Sequence, residues 1–148
     1  MEPPNGLPQG LTEQQFAVIS AKVRDAAAHL AGHAQIHGSR ASGTATADSD
    51  LDIAILVPPQ HFGEIWREKF GAPNPGSAKF RTMQHAYETG KIQCGEAGLR
   101  ALRKELESDL GIAVDISIIE EGGPFDQGPY LPLIGHTTEG TADDQQRT

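Results

Sequence analysis

Residues 34–57 read AQIHGSRASGTATADSDLDIAILV, and this stretch decides the fold. A short apolar segment at 34–37 leads into a Gly-Ser pair, a polar spacer and a second apolar run at 50–57. The second run is rich in Ile, Leu and Val and ends at two prolines, which is typical of a buried β-strand. We therefore predict strands at 34–37 and 50–57, with a short helix or turn at 40–46 between them.

The remaining elements follow from apolar periodicity. Helical spacing predicts helices over residues 13–31, 61–70, 77–88 and 96–110, the first of them behind a capping box of Thr12 and Gln15. A further strand is predicted over 112–119. This order predicts an α/β (α+β) domain with one small mixed sheet, which has helices on one face and an acidic active site on the other.

The length of 148 residues suits one domain. We predict a lead-in or linker at 1–11, the domain at 12–136 and a disordered tail at 137–148. No apolar run is long enough to span a membrane, and the N-terminal residues do not resemble a signal peptide. The single cysteine, Cys94, forms no internal disulfide and is expected to be a small buried side chain.

Charge is unevenly distributed along the chain. The formal net charge is −8, yet residues 79–104 carry six basic side chains against two acids. The six are Lys79, Arg81, Lys91, Arg100, Arg103 and Lys104. This excess is too weak for a dedicated DNA-binding domain but is compatible with a phosphate-bearing ligand.

Three aspartates are predicted on the face of the sheet that is not aliphatic. Because strand side chains alternate, Asp50 and Asp52 share one face of their strand, and Asp115 lies opposite the aliphatic face of the last strand. If the two strands are neighbours, the three carboxylates converge and repel one another. A divalent cation such as Mg²⁺ would relieve that repulsion. The alternative is that Asp50 and Asp52 are surface acids at the start of a strand.

Gly38 and Ser39 follow a strand and precede the acids by about ten residues. Glycine allows close approach of backbone to a ligand, and backbone N–H groups with a seryl hydroxyl can hold phosphate. Arg40 either adds positive charge there or is a solvated helix residue. Lys79, Arg81, His85 and Lys91 either contact a triphosphate or an acceptor, or are ordinary surface residues.

The motif HGSRASGTATADSDLDIAI, with the later VDI, resembles the signature of the DNA polymerase beta-type nucleotidyltransferase superfamily. The stretch NPGSAKFRTMQHAYETGKIQCGEAGLRALRKELE, together with GGPFDQGPYLPL, is similar to nucleotidyltransferase domains at the C-termini of bacterial polymorphic (contact-dependent or secreted) toxins. The resemblance implies a minimal nucleotidyltransferase fold. It also implies phosphate contacts at Gly38 and Ser39, and catalytic metal ligands, for two magnesium ions, at Asp50, Asp52 and Asp115.

The expected activity is transfer of a nucleoside monophosphate from a nucleoside triphosphate such as ATP to an acceptor hydroxyl, with release of pyrophosphate. The toxin resemblance favours RNA, such as tRNA, or a protein as acceptor. It also implies action in the bacterial cytoplasm after delivery within a larger secreted protein, and a cognate immunity protein. No membrane partner is expected. The alternatives are an antitoxin or partner-binding module on the same fold, and an aminoglycoside-type small-molecule nucleotidyltransferase.

Overall fold

The computed structural model describes residues 6–133. The helices are α1 (Glu13–His29), α2 (Ser39–Ser42), α3 (Pro59–Phe70), α4 (Ala78–Thr89), α5 (Cys94–Ala97) and α6 (Arg100–Leu110). The strands are β1 (His33–His37), β2 (Leu51–Val57), β3 (Lys91–Ile92), β4 (Val114–Glu120) and β5 (Leu131–Pro132). Helix α1 begins with the predicted capping box, in which Thr12 and Gln15 each accept a hydrogen bond from the other's backbone N–H.

The strands form one mixed sheet in the order β3-β4-β2-β1-β5. The two long central strands, β2 and β4, run parallel, and every other pairing is antiparallel. In the parallel ladder Leu51 is paired with Val114, and Asp52 with Asp115. Because side chains alternate along a strand, this register places both aliphatic rows on one face and both acids on the other.

The aliphatic face is covered by helices. Ile53, Ile55, Ile116 and Ile118 are fully buried there, together with Phe16 of α1 and Phe62 of α3. Burial of large apolar side chains is the main stabilising contribution in a domain of this size. The predicted fold class, an α/β domain with a small mixed sheet, is confirmed.

The opposite face is acidic at one end only. Beyond Asp52 and Asp115 it carries Ala54, Leu56 and Ile119, which form a small buried cluster of their own. The segment 121–130, which joins β4 to β5, contacts this face through three side chains. Glu121 lies 3.5 Å from His33, Phe125 contacts Lys91, and Tyr130 contacts His37.

Two features of the fold differ from the sequence-based expectation. The predicted helix at 96–110 is two helices, because Gly98 ends α5 in the left-handed conformation (φ 75°) and α6 begins at Arg100, behind Leu99 as its N-cap. The two-residue strands β3 and β5 were not predicted, because strands this short leave no periodic signal.

The predicted domain limits can be compared with the structure near the N-terminus only. Within the predicted lead-in, Leu11 is buried and Gln9 is hydrogen-bonded to Arg40 and Ala45, so residues 9–11 pack against the domain. The predicted tail at 137–148 lies outside the described residues. No helix in the described part of the chain has the length and apolar character required to cross a bilayer.

Candidate functional site

Asp52 and Asp115 lie side by side at the beginnings of β2 and β4. They are paired residues in the parallel ladder, and neighbouring strands are about 4.8 Å apart. Both side chains are half-buried, whereas Asp50, which precedes β2, is exposed. All three carboxylates line one open pocket together with Gly38, Ser39 and Ser49. The structure thus brings together the three predicted acids and the predicted Gly-Ser pair.

The electrostatics of this pocket oppose full ionisation of its acids. Burial raises the pKa of Asp52 above its ordinary value, and the Asp115 carboxylate raises it further. The Lys91 ammonium acts in the opposite direction, while Asp50 adds a smaller increase. A bound cation would favour the charged carboxylates, so the pocket is electrostatically suited to one.

Gly38 brings the backbone close to Asp52. It precedes α2 with φ 74° and ψ −159°, a conformation that is almost restricted to glycine. A Cβ atom at this position would lie 3.3 Å from both Cβ and Oδ2 of Asp52. The backbone conformation therefore favours glycine at this position, and an added Cβ atom would also crowd the Asp52 side chain.

Arg40 is buried, and its guanidinium is bonded to the protein backbone. Its Nε and Nη2 donate to the carbonyl of Ser49 at 3.2 and 2.8 Å, and its Nη1 donates to the carbonyl of Gln9 at 2.7 Å. Ser49 immediately precedes Asp50, so Arg40 holds the loop that presents this acid. The predicted contact between Arg40 and nucleotide stays a prediction, and the structure gives the side chain a positioning role.

His37 lies beside Asp52 on the acidic face of the sheet but does not line the acid pocket. It is paired with Asp52 in the antiparallel ladder, its ring packs against Tyr130 with centroids 5.0 Å apart, and its Nε2 is 3.4 Å from Oε1 of Gln35. Burial lowers the pKa of His37, Asp126 opposes that change, and Lys91 adds to it. His37 is therefore neutral at pH 7, so it can donate or accept a hydrogen bond but adds no positive charge.

The basic residues of segment 79–104 occupy different places. Lys91, the first residue of β3, is paired with Ile119, four residues along β4 from Asp115, and its Nζ is 4.6 Å from the centroid of the Phe125 ring. Its positive charge lowers the pKa of Asp52. His85 and Lys91 line a second pocket that also includes Phe125. Arg81 donates to the carbonyl of Gly76 at the start of its own helix. Lys79 and Arg81 line neither of these two pockets.

Cys94 is buried, and burial is the main reason its pKa is raised. This confirms the expectation of a small buried side chain and is unfavourable for a nucleophilic thiolate.

Sequence reasoning missed the contribution of segment 121–130. Its signal was two aromatic residues, Phe125 and Tyr130, in a stretch rich in Gly and Pro, where an apolar core is not expected.

The acid pocket offers oxygen donors, which are the ligands that hard divalent cations prefer. Among residues 6–133, no three His, Cys, Asp or Glu side chains are arranged so that they could hold an ion by themselves. Carboxylate and hydroxyl oxygens around an open pocket match Mg²⁺, which keeps several waters and shares its coordination with substrate phosphates. The assignment of Asp50, Asp52 and Asp115 as metal ligands remains a prediction.

Comparison with known proteins agrees with this geometry. No curated protein and no solved structure matches the chain. A family model described as "Nucleotidyltransferase domain" matches residues 22–130, which include β1, the Gly-Ser pair and all three acids. The match spans well over half of the 148 residues, so the chain belongs to the nucleotidyltransferase domain family.

Proposed function

We propose that this protein transfers a nucleoside monophosphate from a nucleoside triphosphate to an acceptor hydroxyl and releases pyrophosphate. The observation that carries the proposal is the convergence of Asp50, Asp52 and Asp115 with Gly38 and Ser39 around one open pocket. The family match supports the general class of reaction.

The roles of the residues follow from their positions. Gly38 and Ser39 hold the outgoing phosphates, because both line the same open pocket as the three acids and because backbone N–H groups and a seryl hydroxyl can bind phosphate oxygens. Asp50, Asp52 and Asp115 would hold two magnesium ions, which supply positive charge to the phosphates and acidify the acceptor hydroxyl. His37 is the neighbour of Asp52 on β1, and because burial lowers its pKa it adds no positive charge beside the acids at pH 7.

In the transfer step, the acceptor oxygen forms a bond to the α-phosphorus of the triphosphate. The bond between that phosphorus and the bridging oxygen breaks, and its electron pair leaves with pyrophosphate. The acceptor proton passes to the Asp115 carboxylate or to water. Positioning and charge neutralisation supply most of the catalysis in reactions of this type.

The acceptor is RNA, such as a tRNA end, or a protein hydroxyl, and the domain acts as a toxin in the bacterial cytoplasm. This part rests on the resemblance of the sequence to toxin domains. It requires a cognate immunity protein, because an active enzyme of this kind must be restrained in its producer.

Two experiments test the proposal. In the first, the protein is incubated with each labelled ribonucleoside triphosphate, Mg²⁺ and a cell extract. Pyrophosphate release and transfer of label to RNA or protein are expected, and both should be absent for Asp52→Ala. Transfer to small molecules alone would identify an aminoglycoside-type enzyme instead, and no pyrophosphate from the wild type would contradict the enzymatic proposal.

In the second experiment, wild type and Asp52→Ala are expressed in bacteria at matched levels. Growth arrest by the wild type alone is expected if the domain is a toxin. High-level expression of active wild type without growth defect, and without any partner, would contradict the toxin role but not the transfer activity.

A further inference from the structure

A glutamine ahead of the first helix is bonded to the loop that leads to Asp50. The side chain of Gln9 contacts both backbone groups of Ala45. Its Oε1 accepts a hydrogen bond from the Ala45 N–H at 2.7 Å, and its Nε2 donates to the Ala45 carbonyl at 3.1 Å. A primary amide carries a donor and an acceptor side by side, so the two bonds fix both the position and the orientation of the backbone at Ala45.

The backbone of Gln9 is in turn bonded to Arg40. The Gln9 N–H donates to the Arg40 carbonyl at 2.9 Å, and Nη1 of Arg40 donates to the Gln9 carbonyl at 2.7 Å. The same guanidinium donates to the carbonyl of Ser49. Gly10 has φ 89°, and a Cβ atom there would clash with Nη1 of Arg40, so this backbone is shaped to the guanidinium. We call Gln9, Arg40, Ala45 and Ser49 with these bonds the Gln9 clamp.

The loop of residues 44–50 is not anchored in the apolar core. Five of its seven residues are exposed, and none is buried. Inside the loop, the Thr46 N–H donates to Oγ of Ser49 at 2.9 Å, and the Ser49 N–H donates to the Thr46 carbonyl at 3.1 Å. These two bonds make a compact turn. The placement of that turn relative to the acid pocket depends on its two ends, Ala45 and Ser49, which the Gln9 clamp holds.

Among the three acids, Asp50 depends most on this loop. Asp52 and Asp115 lie within paired strands, whereas Asp50 precedes β2 and directly follows Ser49. It lines the pocket from an exposed position. Groups that orient a metal ligand without touching the ion commonly change metal affinity by about 10- to 100-fold when they are removed. The support of Asp50 is therefore expected to affect the binding of a cation in the pocket.

We propose that Gln9 is a positioning residue of the acid pocket. It holds Ala45, which places the loop that carries Asp50, and it acts through Asp50 on the affinity of the pocket for a divalent cation. Residues 9–11 lie ahead of residues 22–130, which match the family model, so the match itself implies no role for them. The inference rests on the proposed function, because the role of Asp50 as a metal ligand is taken from it.

The test compares Gln9→Met with the wild type. Methionine keeps the length of the side chain and removes its amide. Gln14→Met is the matched control, because Gln14 is exposed on α1 and does not line the acid pocket. In EDTA, NMR relaxation gives the order parameters of the backbone amides from Thr46 to Asp50. Binding of Mn²⁺, which also prefers carboxylate oxygens, is then measured by electron paramagnetic resonance of the free ion. Urea unfolding gives the stability of each variant.

In Gln9→Met the order parameters of the loop should fall from about 0.85, typical of rigid backbone, to below about 0.6, whereas those of β2 should not change. Mn²⁺ affinity should fall about tenfold, at the lower end of the range for groups that orient a ligand, because Gln9 acts on Asp50 through the loop. Gln14→Met should match the wild type in both measurements.

Unchanged order parameters in the loop, or unchanged Mn²⁺ affinity, would overturn the positioning role. A loss of stability alone would then assign the Gln9 bonds to the attachment of the N-terminal segment. Failure of the proposed function has a different signature. If Asp52→Ala binds Mn²⁺ as tightly as the wild type does, the metal site itself is overturned, whatever the order parameters of the loop.

Discussion

Asp52 and Asp115 are direct partners in the parallel ladder between β2 and β4, so the fold places two carboxylates side by side. Burial and this neighbour both raise the pKa of Asp52. The folded protein consequently binds a proton at Asp52 more tightly than the unfolded chain does. The Asp52 carboxyl therefore contributes most to the free energy of unfolding at a pH below its ordinary pKa, where it is protonated. That contribution is lost as the pH rises through the raised pKa of Asp52 in the folded state.

The first prediction concerns Asp52→Asn. In EDTA at pH 7 the variant should be more stable to urea than the wild type, because it lacks the unfavourable charge. The difference should shrink towards pH 4, near the ordinary pKa of a carboxyl group, about 3.9. Transfer activity should be abolished, since a ligand charge is removed from the pocket.

The control is Asp48→Asn, which changes an exposed acid that does not line the pocket. It should alter neither activity nor the pH dependence of stability. Near-full activity of Asp52→Asn would contradict the role of Asp52 as a metal ligand. A lower stability of that variant at pH 7 would contradict the electrostatic argument.

The second prediction separates backbone strain from site geometry by means of two glycines. Gly38 has φ 74° and ψ −159°, and Gly71 has the similar values 66° and −135°. Alanine should cost about 1–3 kcal/mol of stability at either position. Only at Gly38 does the new Cβ meet Asp52, at 3.3 Å, because nothing lies within 4 Å of the corresponding atom at Gly71. Gly38→Ala should therefore also lose activity, whereas Gly71→Ala should retain it. If the two variants have equal activity under conditions where both are folded, the close approach of Gly38 to Asp52 does not contribute to activity.

A third prediction concerns Arg40. Hydrogen bonds from a charged donor contribute roughly 1.5–3 kcal/mol each, and this guanidinium bonds to Ser49 and Gln9 from a buried position. Arg40→Lys cannot reproduce the forked geometry, so its free energy of unfolding should fall by about that amount. Triphosphate affinity of the folded variant should change little. A large loss of triphosphate affinity with unchanged stability would instead support the direct phosphate contact that the sequence suggested.

The fourth prediction concerns the basic segment. Lys91→Ala should raise the apparent KM for the acceptor or the triphosphate, with a loss near 1.5–3 kcal/mol for a charged hydrogen bond. Arg81→Ala is the matched control, because Arg81 is on the same segment but bonds to the carbonyl of Gly76. Steady-state kinetics of the two variants give the comparison. If both show wild-type constants, Lys91 contacts neither substrate.

The sequence was sufficient for the features that repeat along the chain. Alternation in 50–57 and 112–119 predicted that the acids share one face, and the register of the ladder agrees. The Gly-Ser pair lines the same pocket, and its binding of phosphate stays a prediction. Tertiary contacts left no such signal. The buried role of Arg40 depends on a carbonyl nine residues away and another thirty-one residues away. The contact between Phe125 and Lys91 depends on a loop that follows β4, the last long strand.

Hydrogen bonds connect the N-terminal segment around Gln9 to the loop that precedes Asp50. Gln9 exchanges hydrogen bonds with Ala45 and Arg40, and Arg40 in turn holds Ser49. A pull applied ahead of Gly6 reaches the loop before Asp50 through these bonds. Tension on that side of the chain would therefore act on the loop that carries Asp50 as well as on helix α1, which begins at Glu13.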